Sequence, residues 1–300
     1  MNVEHLPYNV YVEEGKKILN EYIDACNWID SLGIPHQKTR LGSYKKLISK
    51  FENCLDENID DKEMEKRFHA YLNAFAEAIE VIRVKNNFRA LPADDYLRRL
   101  KIVTSGQTFR NQAENDTSRD YLFELSMAAR FLQGGYIVDI NHIADVVAVV
   151  NGRKVYVECK RLRSESKFDV RLKEANKQLI RRLKADISSH SRGIVAINLT
   201  DVINPFNSMF FADSPQHLQT INSEHLESFV MLKKPILVKE TVKNIIGVLC
   251  EGISQAYLPS RNPPAVCNCR GVKFFHNNLK KSDVELVRLI ANTISNQSIV

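Results

Sequence analysis

Asp145, Glu158 and Lys160 are two acids and an amine that the turn between them could bring together. Asn151-Gly152 separates two strand-like stretches, Asp145 to Val150 and Arg153 to Lys160, and Asn-Gly is the strongest short-range hairpin signal because both residues tolerate the positive φ of a type I′ turn. With that turn, Val150 pairs with Arg153, Ala148 with Val155 and Asp145 with Glu158. The two carboxylates become cross-strand neighbours, roughly 5 Å apart at Cβ. Lys160 joins their face, because side chains alternate along a strand. Val146, Val147, Val149, Val155 and Val157 make both strands apolar on both faces, as central strands are. A like-charged pair in such a place is costly unless neutralised. Lys160 offsets part of the charge. A divalent cation offsets more, since Mg²⁺ is held by one or two carboxylates together with phosphate oxygens. The competing reading, a structural ion-pair cluster on an exposed sheet face, leaves the acid pair without a purpose.

The elements that must position these residues follow from periodicity. Upstream, Tyr121, Leu122, Leu125, Ala128, Ala129 and Leu132 form an amphipathic helix that stops at Gly134-Gly135, with Glu124 at the edge of its apolar stripe as a third carboxylate. A first strand covers Tyr136 to Ile140, and Asp139 sits near its end. Downstream come a basic helix from about Arg171 to Ile187 and a strand from Gly193 to Leu199. From Arg153 to Arg192 there are 13 basic residues against five acids, a net +8 in a chain whose formal charge is only +6. One concentrated basic segment is the footprint of a surface that meets phosphates. On its helix Lys173, Lys177, Arg181 and Lys184 recur at spacings of four, four and three and share one face.

Asp145, a twelve-residue gap and Glu158-Cys159-Lys160 on the next strand resemble the PD-(D/E)XK nuclease superfamily, the restriction-endonuclease-like fold. The flanking helices match the family's αβββαβ core, and the resemblance covers roughly residues 119 to 200. Ala144 departs from the proline of the family name. The resemblance implies that Asp145 and Glu158 ligate Mg²⁺ or Mn²⁺, with Glu124 and the Cys159 backbone carbonyl contributing. It implies that Lys160 holds or activates the attacking water and stabilises the transition state, and that Gln178 supports the lysine or contacts DNA. Arg161, Arg163, Lys173, Lys177, Arg181 and Lys184 would hold the phosphate backbone.

The remainder sets the frame. Residues 1–103 read as an α-helical domain for recognition or partners. Its helices run through Ile18 to Leu32, ending at Gly33 and Pro35; through Leu47 to Leu55 after a possible N-cap at Ser43; and through Phe68 to Ile82. A short helix follows Pro92 to about Lys101. The polar stretch 104–118 reads as a linker, and 119–300 as an α/β domain. Further strands are expected near Ile245 to Cys250 and Val272 to Phe275, with a helix from about His217 to Val230. A last helix opens at Ser282 and Glu285, a capping-box spacing. Cys250, Cys267, Cys269 and His276 lack zinc spacing, and no phosphate-binding loop or serine-hydrolase elbow is present. Hydrophobic content of 44% without a long apolar run points to a globular cytoplasmic chain without a membrane span, and six cysteines without regular spacing point to reduced thiols. The expectation is a metal-dependent DNA nuclease, as an endonuclease in restriction, antiphage defence or repair; a homodimer or a partner protein is expected. The alternatives are an inactive nucleic-acid-binding module of the same fold and a ribonuclease acting on RNA.

Overall fold

The computed structural model describes residues 2–4, 11, 13–53, 60–110, 116–140, 144–204, 209–262 and 265–299. The chain divides into two compact units, a helical one of residues 11–129 with 298–300 and a sheet-bearing one of residues 1–10 and 130–297. The division falls inside a helix, later than the 104–118 linker expected from composition. Up to Arg110 that polar stretch is bound to the helical unit: the Tyr44 hydroxyl donates to the Thr108 carbonyl at 2.7 Å, and Arg119 donates to the Gln107 and Thr108 carbonyls. Residues 111–115 of the linker lie outside the described residues.

The helical unit holds α1 (Gly15–Ser31), α2 (Arg40–Asn53), α3 (Asp61–Phe88), α4 (Leu97–Thr104) and most of α5 (Thr117–Gln133). On α1, Ile18, Tyr22, Ala25, Cys26 and Ile29 are buried at helical spacing, which is why this stretch coils and packs. The expected Ser43 cap is not one. α2 begins at Arg40, so Ser43 lies within it, and Thr39 accepts the Ser43 N–H through its carbonyl. Asp60 caps α3 by accepting from the Glu63 N–H at 2.8 Å. The buried Glu77 of α3 is surrounded by cations: Arg40 Nη1 lies at 2.7 Å, Arg110 Nε at 3.8 Å, and Arg119 pairs with the other oxygen. Burial alone would raise the Glu77 carboxyl, but the three guanidinium groups outweigh it and hold the group down at about 2.

The sheet-bearing unit is mixed α/β. Its strands are β1 (Asn2–Glu4), β2 (Ile137–Asp139), β3 (Val146–Val150), β4 (Arg153–Arg161), β5 (Arg192–Asn198), β6 (Met209–Phe211), β7 (Ile245–Leu258) and β8 (Ala265–His276). They form one sheet in the order β1-β8-β7-β5-β4-β3-β2, with β6 also on β7. β4 and β5 are parallel and joined by α6 (Phe168–Ala185). Asn151 and Gly152 both take positive φ, 48° and 73°, and the pairs Val150 with Arg153, Ala148 with Val155 and Val146 with Val157 follow the register read from the turn. Phe168, Leu172, Ala175 and Leu179 of α6 pack with Val195 and Ile197 of β5 and with α8 (Pro215–Leu232) and α9 (Lys234–Lys239) in one core. The small α7 (Thr200–Ile203) follows β5, and α10 (Lys281–Ser295) packs against β7 and β8.

Three expectations are corrected. The N-terminal residues Asn2–Glu4 form a strand on β8 and belong to the sheet unit, not to a helical domain. β7 and β8 run for 14 and 12 residues, well past the short apolar runs that announced them. The last helix starts after Lys280 without a side-chain cap, and the Asp283 of its first turn is held by Arg153 and Arg192 at 2.5 and 2.9 Å. Among the described residues no helix is long and apolar enough to cross a membrane.

The Glu77 cluster predicts a pH response. Its folded carboxyl is held below the ordinary 4.5, so the stability it contributes is present above that value and is lost as the pH falls toward about 2. Glu77→Gln, which strands buried guanidinium groups, should cost about 3–5 kcal/mol at neutral pH and flatten the acid limb of the unfolding profile followed by circular dichroism. An unchanged acid limb would contradict this assignment.

Candidate functional site

Glu158 is fully buried near the middle of β4. In the parallel register it lies beside Val195 and Lys160 beside Ile197, so both side chains share the sheet face that α6 covers. Lys160 Nζ donates to Glu158 Oε2 at 3.3 Å, and the Arg182 guanidinium of α6 pairs with Oε1. One step past the last ladder pair, Val146 with Val157, the chain at Asp145 has bent out of the strand. The Asp145 carboxylate turns to β4 and accepts the Cys159 N–H through Oδ2 at 2.8 Å. The hairpin therefore brings Asp145 to the Glu158-Cys159 peptide, through a side-chain-to-backbone bond and not as a ladder residue. Cys159 itself is buried beside Ala196 on the opposite face.

The cations around this acid differ from those that seal two other buried acids, Glu77 and Glu251. Glu77 is held by Arg40 and Arg119 side chains that are 0% and 4% exposed, and Glu251 of β7 by Arg130 at 1%. Those three cations are locked in the interior, whereas Arg110 beside Glu77 and Arg270 beside Glu251 are 18% and 14% exposed. Around Glu158, Arg182 is 11% and Lys160 16% exposed, so its counter-charges reach solvent and can be exchanged. Removing a carboxylate from water costs several kcal/mol unless it is compensated. Its compensation here is replaceable from outside. Asp145, Glu158 and the Cys159 carbonyl are all hard oxygen donors, the set suited to Mg²⁺ or Mn²⁺. Among the described residues no group of three His, Cys, Asp or Glu side chains is drawn together. Two carboxylates suffice for a Mg²⁺ that also takes water and phosphate oxygens.

The remaining expected residues fall in several places. Gln178 lies one turn before Arg182 on α6, with its buried Oε1 accepting no hydrogen bond. Lys173, Lys177, Arg181 and Lys184 are exposed along the outer face of α6, and Arg163 is exposed on the connection before it. Arg161 is not part of that face. Alternation along β4 turns it away from Lys160, and Asp201 holds it at 2.6 Å with 7% of its side chain exposed. Glu124 belongs to the helical unit, where Arg99 approaches its carboxylate at 3.4 Å. Asp139 ends β2 opposite Val147. Cys269 donates to Gln219 Oε1 at 2.6 Å, and burial pushes the Cys250 and Cys269 thiols up to about 12. Sequence reading missed the role of Arg182. Its one signal was a position four residues after Gln178, on the same side of the helix.

Comparison with protein-family models, with curated proteins and with solved structures gave no match. The Glu158–Arg182 pair can be weighed by a double-mutant cycle. Arg182→Met leaves the buried carboxylate with Lys160 alone and should cost about 1–3 kcal/mol in urea unfolding, while the same change made on Glu158→Gln should cost less by at least about 0.5 kcal/mol. Additive losses would show that the two side chains do not interact.

Proposed function

We propose that this chain is a divalent-metal-dependent nuclease that hydrolyses DNA phosphodiester bonds. The observation that carries the reading is a fully buried carboxylate, Glu158, whose counter-cations open to solvent, with the Asp145 carboxylate anchored one peptide away. The order helix, three strands, helix, strand over α5, β2, β3, β4, α6 and β5 supports the restriction-endonuclease-like resemblance. The exposed basic row on α6 supports a polyanionic substrate, with affinity that falls as salt rises.

In this reading Asp145, Glu158 and the Cys159 carbonyl hold Mg²⁺ or Mn²⁺, which supplies Lewis-acid polarisation of the phosphate and lowers the pKa of water. The Cys159 N–H orients the Asp145 carboxylate beside Glu158. Lys160, on the same face as Glu158, is positioned to hold the attacking water and to stabilise charge on the phosphorane-like transition state. Gln178, with its free buried oxygen, accepts from Lys160 or from that water. Lys173, Lys177, Arg181 and Lys184 hold the backbone and add little sequence discrimination.

The test is cleavage of supercoiled and linear plasmid with Mg²⁺, Mn²⁺ or EDTA. Wild type should cut with either metal and not with EDTA. Asp145→Ala and Lys160→Ala should lower the rate by at least about 10³-fold while DNA binding in Ca²⁺ stays within about twofold. Cleavage that persists in both variants would reject the mechanism, and RNA cut in place of DNA would reject the substrate.

A further inference from the structure

We propose that the groove at the C-terminal end of α6 is a substrate subsite that receives a nucleotide of a DNA strand beside the reacting phosphate, with phosphate oxygens on Lys154 and Arg182. The inference deepens the nuclease reading and rests on it for the identity of the reacting centre. The groove encloses about 510 Å³, within the range of small-molecule sites. Its walls include Lys154, Tyr156, Arg182, Asp186, Ile187 and Ser188.

Three features point to a nucleotide. The first is continuity: Arg182 both lines the groove and pairs with Glu158, and Lys154, Tyr156 and Glu158 alternate along one face of β4. At ~3.3 Å per residue, Lys154 stands roughly 13 Å from Glu158 along the strand, the reach of a short stretch of nucleic acid and not of one bond. The second is charge. Lys154 of β4 and Arg182 of α6 line the groove, and the exposed Arg181 and Lys184 lie on the same turn of α6 as Arg182. The one acid, Asp186, has its oxygens taken internally by the Tyr156 hydroxyl at 2.7 Å, the Ser188 N–H at 2.9 Å and the Ser191 hydroxyl at 2.7 Å. It is part of the wall, and the nearby Lys154 ammonium acts on its charge. The third is an apolar rim. Ile187 is fully exposed and lines the groove together with Tyr156, apolar and aromatic surface on which a base can rest without its edge being read.

Binding of a short fluorescein-labelled oligothymidylate to the full chain, followed by anisotropy in EDTA, tests this without cleavage. Lys154 and Ile187 are exposed, so their substitution leaves the core intact. Lys154→Glu should weaken binding by about tenfold and lower the salt slope by about one, and Ile187→Asp should weaken it at least about threefold. Lys239→Glu, an equal charge change on the exposed end of α9, should leave affinity within about twofold. Equal losses for Lys154→Glu and Lys239→Glu, or none for either, would overturn the subsite, as would displacement of the oligothymidylate by polyglutamate at equal charge. Intact plasmid in Mg²⁺ and Mn²⁺ together with Lys154-dependent binding would sink the nuclease reading and leave the groove standing. Plasmid cleavage together with Lys154-independent binding would do the reverse.

Discussion

A carboxylate with no exposed surface, set in a central strand between β3 and β5, has to be balanced by charge brought from elsewhere. Glu158 is in that position, and much of the sheet unit follows from it. Desolvation would otherwise cost several kcal/mol, a large share of the 5–15 kcal/mol by which a domain is stable. Lys160 contributes from the same strand because alternation keeps it on the Glu158 face. Arg182 contributes from α6, which sits over that face because Phe168, Leu172, Ala175 and Leu179 pack on Val195 and Ile197. The apolar core therefore places the polar site. The packing that holds α6 down also sets the distance at which its guanidinium meets the acid.

Three of the buried acids, Glu77, Glu158 and Glu251, show why burial and ion pairing alone do not mark a functional centre. Glu77 and Glu251 are about as enclosed as Glu158, but each has arginine sealed within the protein, Arg40 and Arg119 for Glu77 and Arg130 for Glu251, besides the partly exposed Arg110 and Arg270. Glu251 also accepts from Asn198 at 3.0 Å, which adds to the network around it. Buried networks of this kind fix how elements pack and penalise the loss of any one member. Glu158 differs because neither of its cations is sealed, Arg182 and Lys160 both touching solvent. There a phosphate can compete for the two cations, or a metal ion can compete with them for Glu158, without opening the core, and Asp145 is bound to the adjoining peptide.

Much of this was legible in the sequence, and the limits have physical causes. Asn151-Gly152 fixed the register of β3 and β4, because a two-residue turn needing positive φ at both positions leaves few alternatives. The amphipathic stripes of α1, α3, α5 and α6 were also readable, since tertiary packing uses the same periodic face that the sequence displays. β1 was not, because three residues carry no period. The second half of β7 was hidden by Glu251, Ser254 and Gln255, buried polar residues, of which Ser254 and Glu251 have partners distant in sequence, Asn222 and Arg130. Within the site, Asp145, Glu158 and Lys160 could be grouped from local pairing. The pairing of Arg182 with Glu158 and of Arg161 with Asp201 could not, because each joins separate elements.

The central claim is that Asp145 and Glu158 hold one divalent cation between them. Calorimetric titration of Mn²⁺ into the full chain, the Asp145→Asn chain and the Glu158→Gln chain measures it most directly. The account predicts a Mn²⁺ site in the unaltered chain and a loss of affinity of at least about tenfold in each variant. Mn²⁺ bound equally well by all three chains, or by none of them, would contradict it.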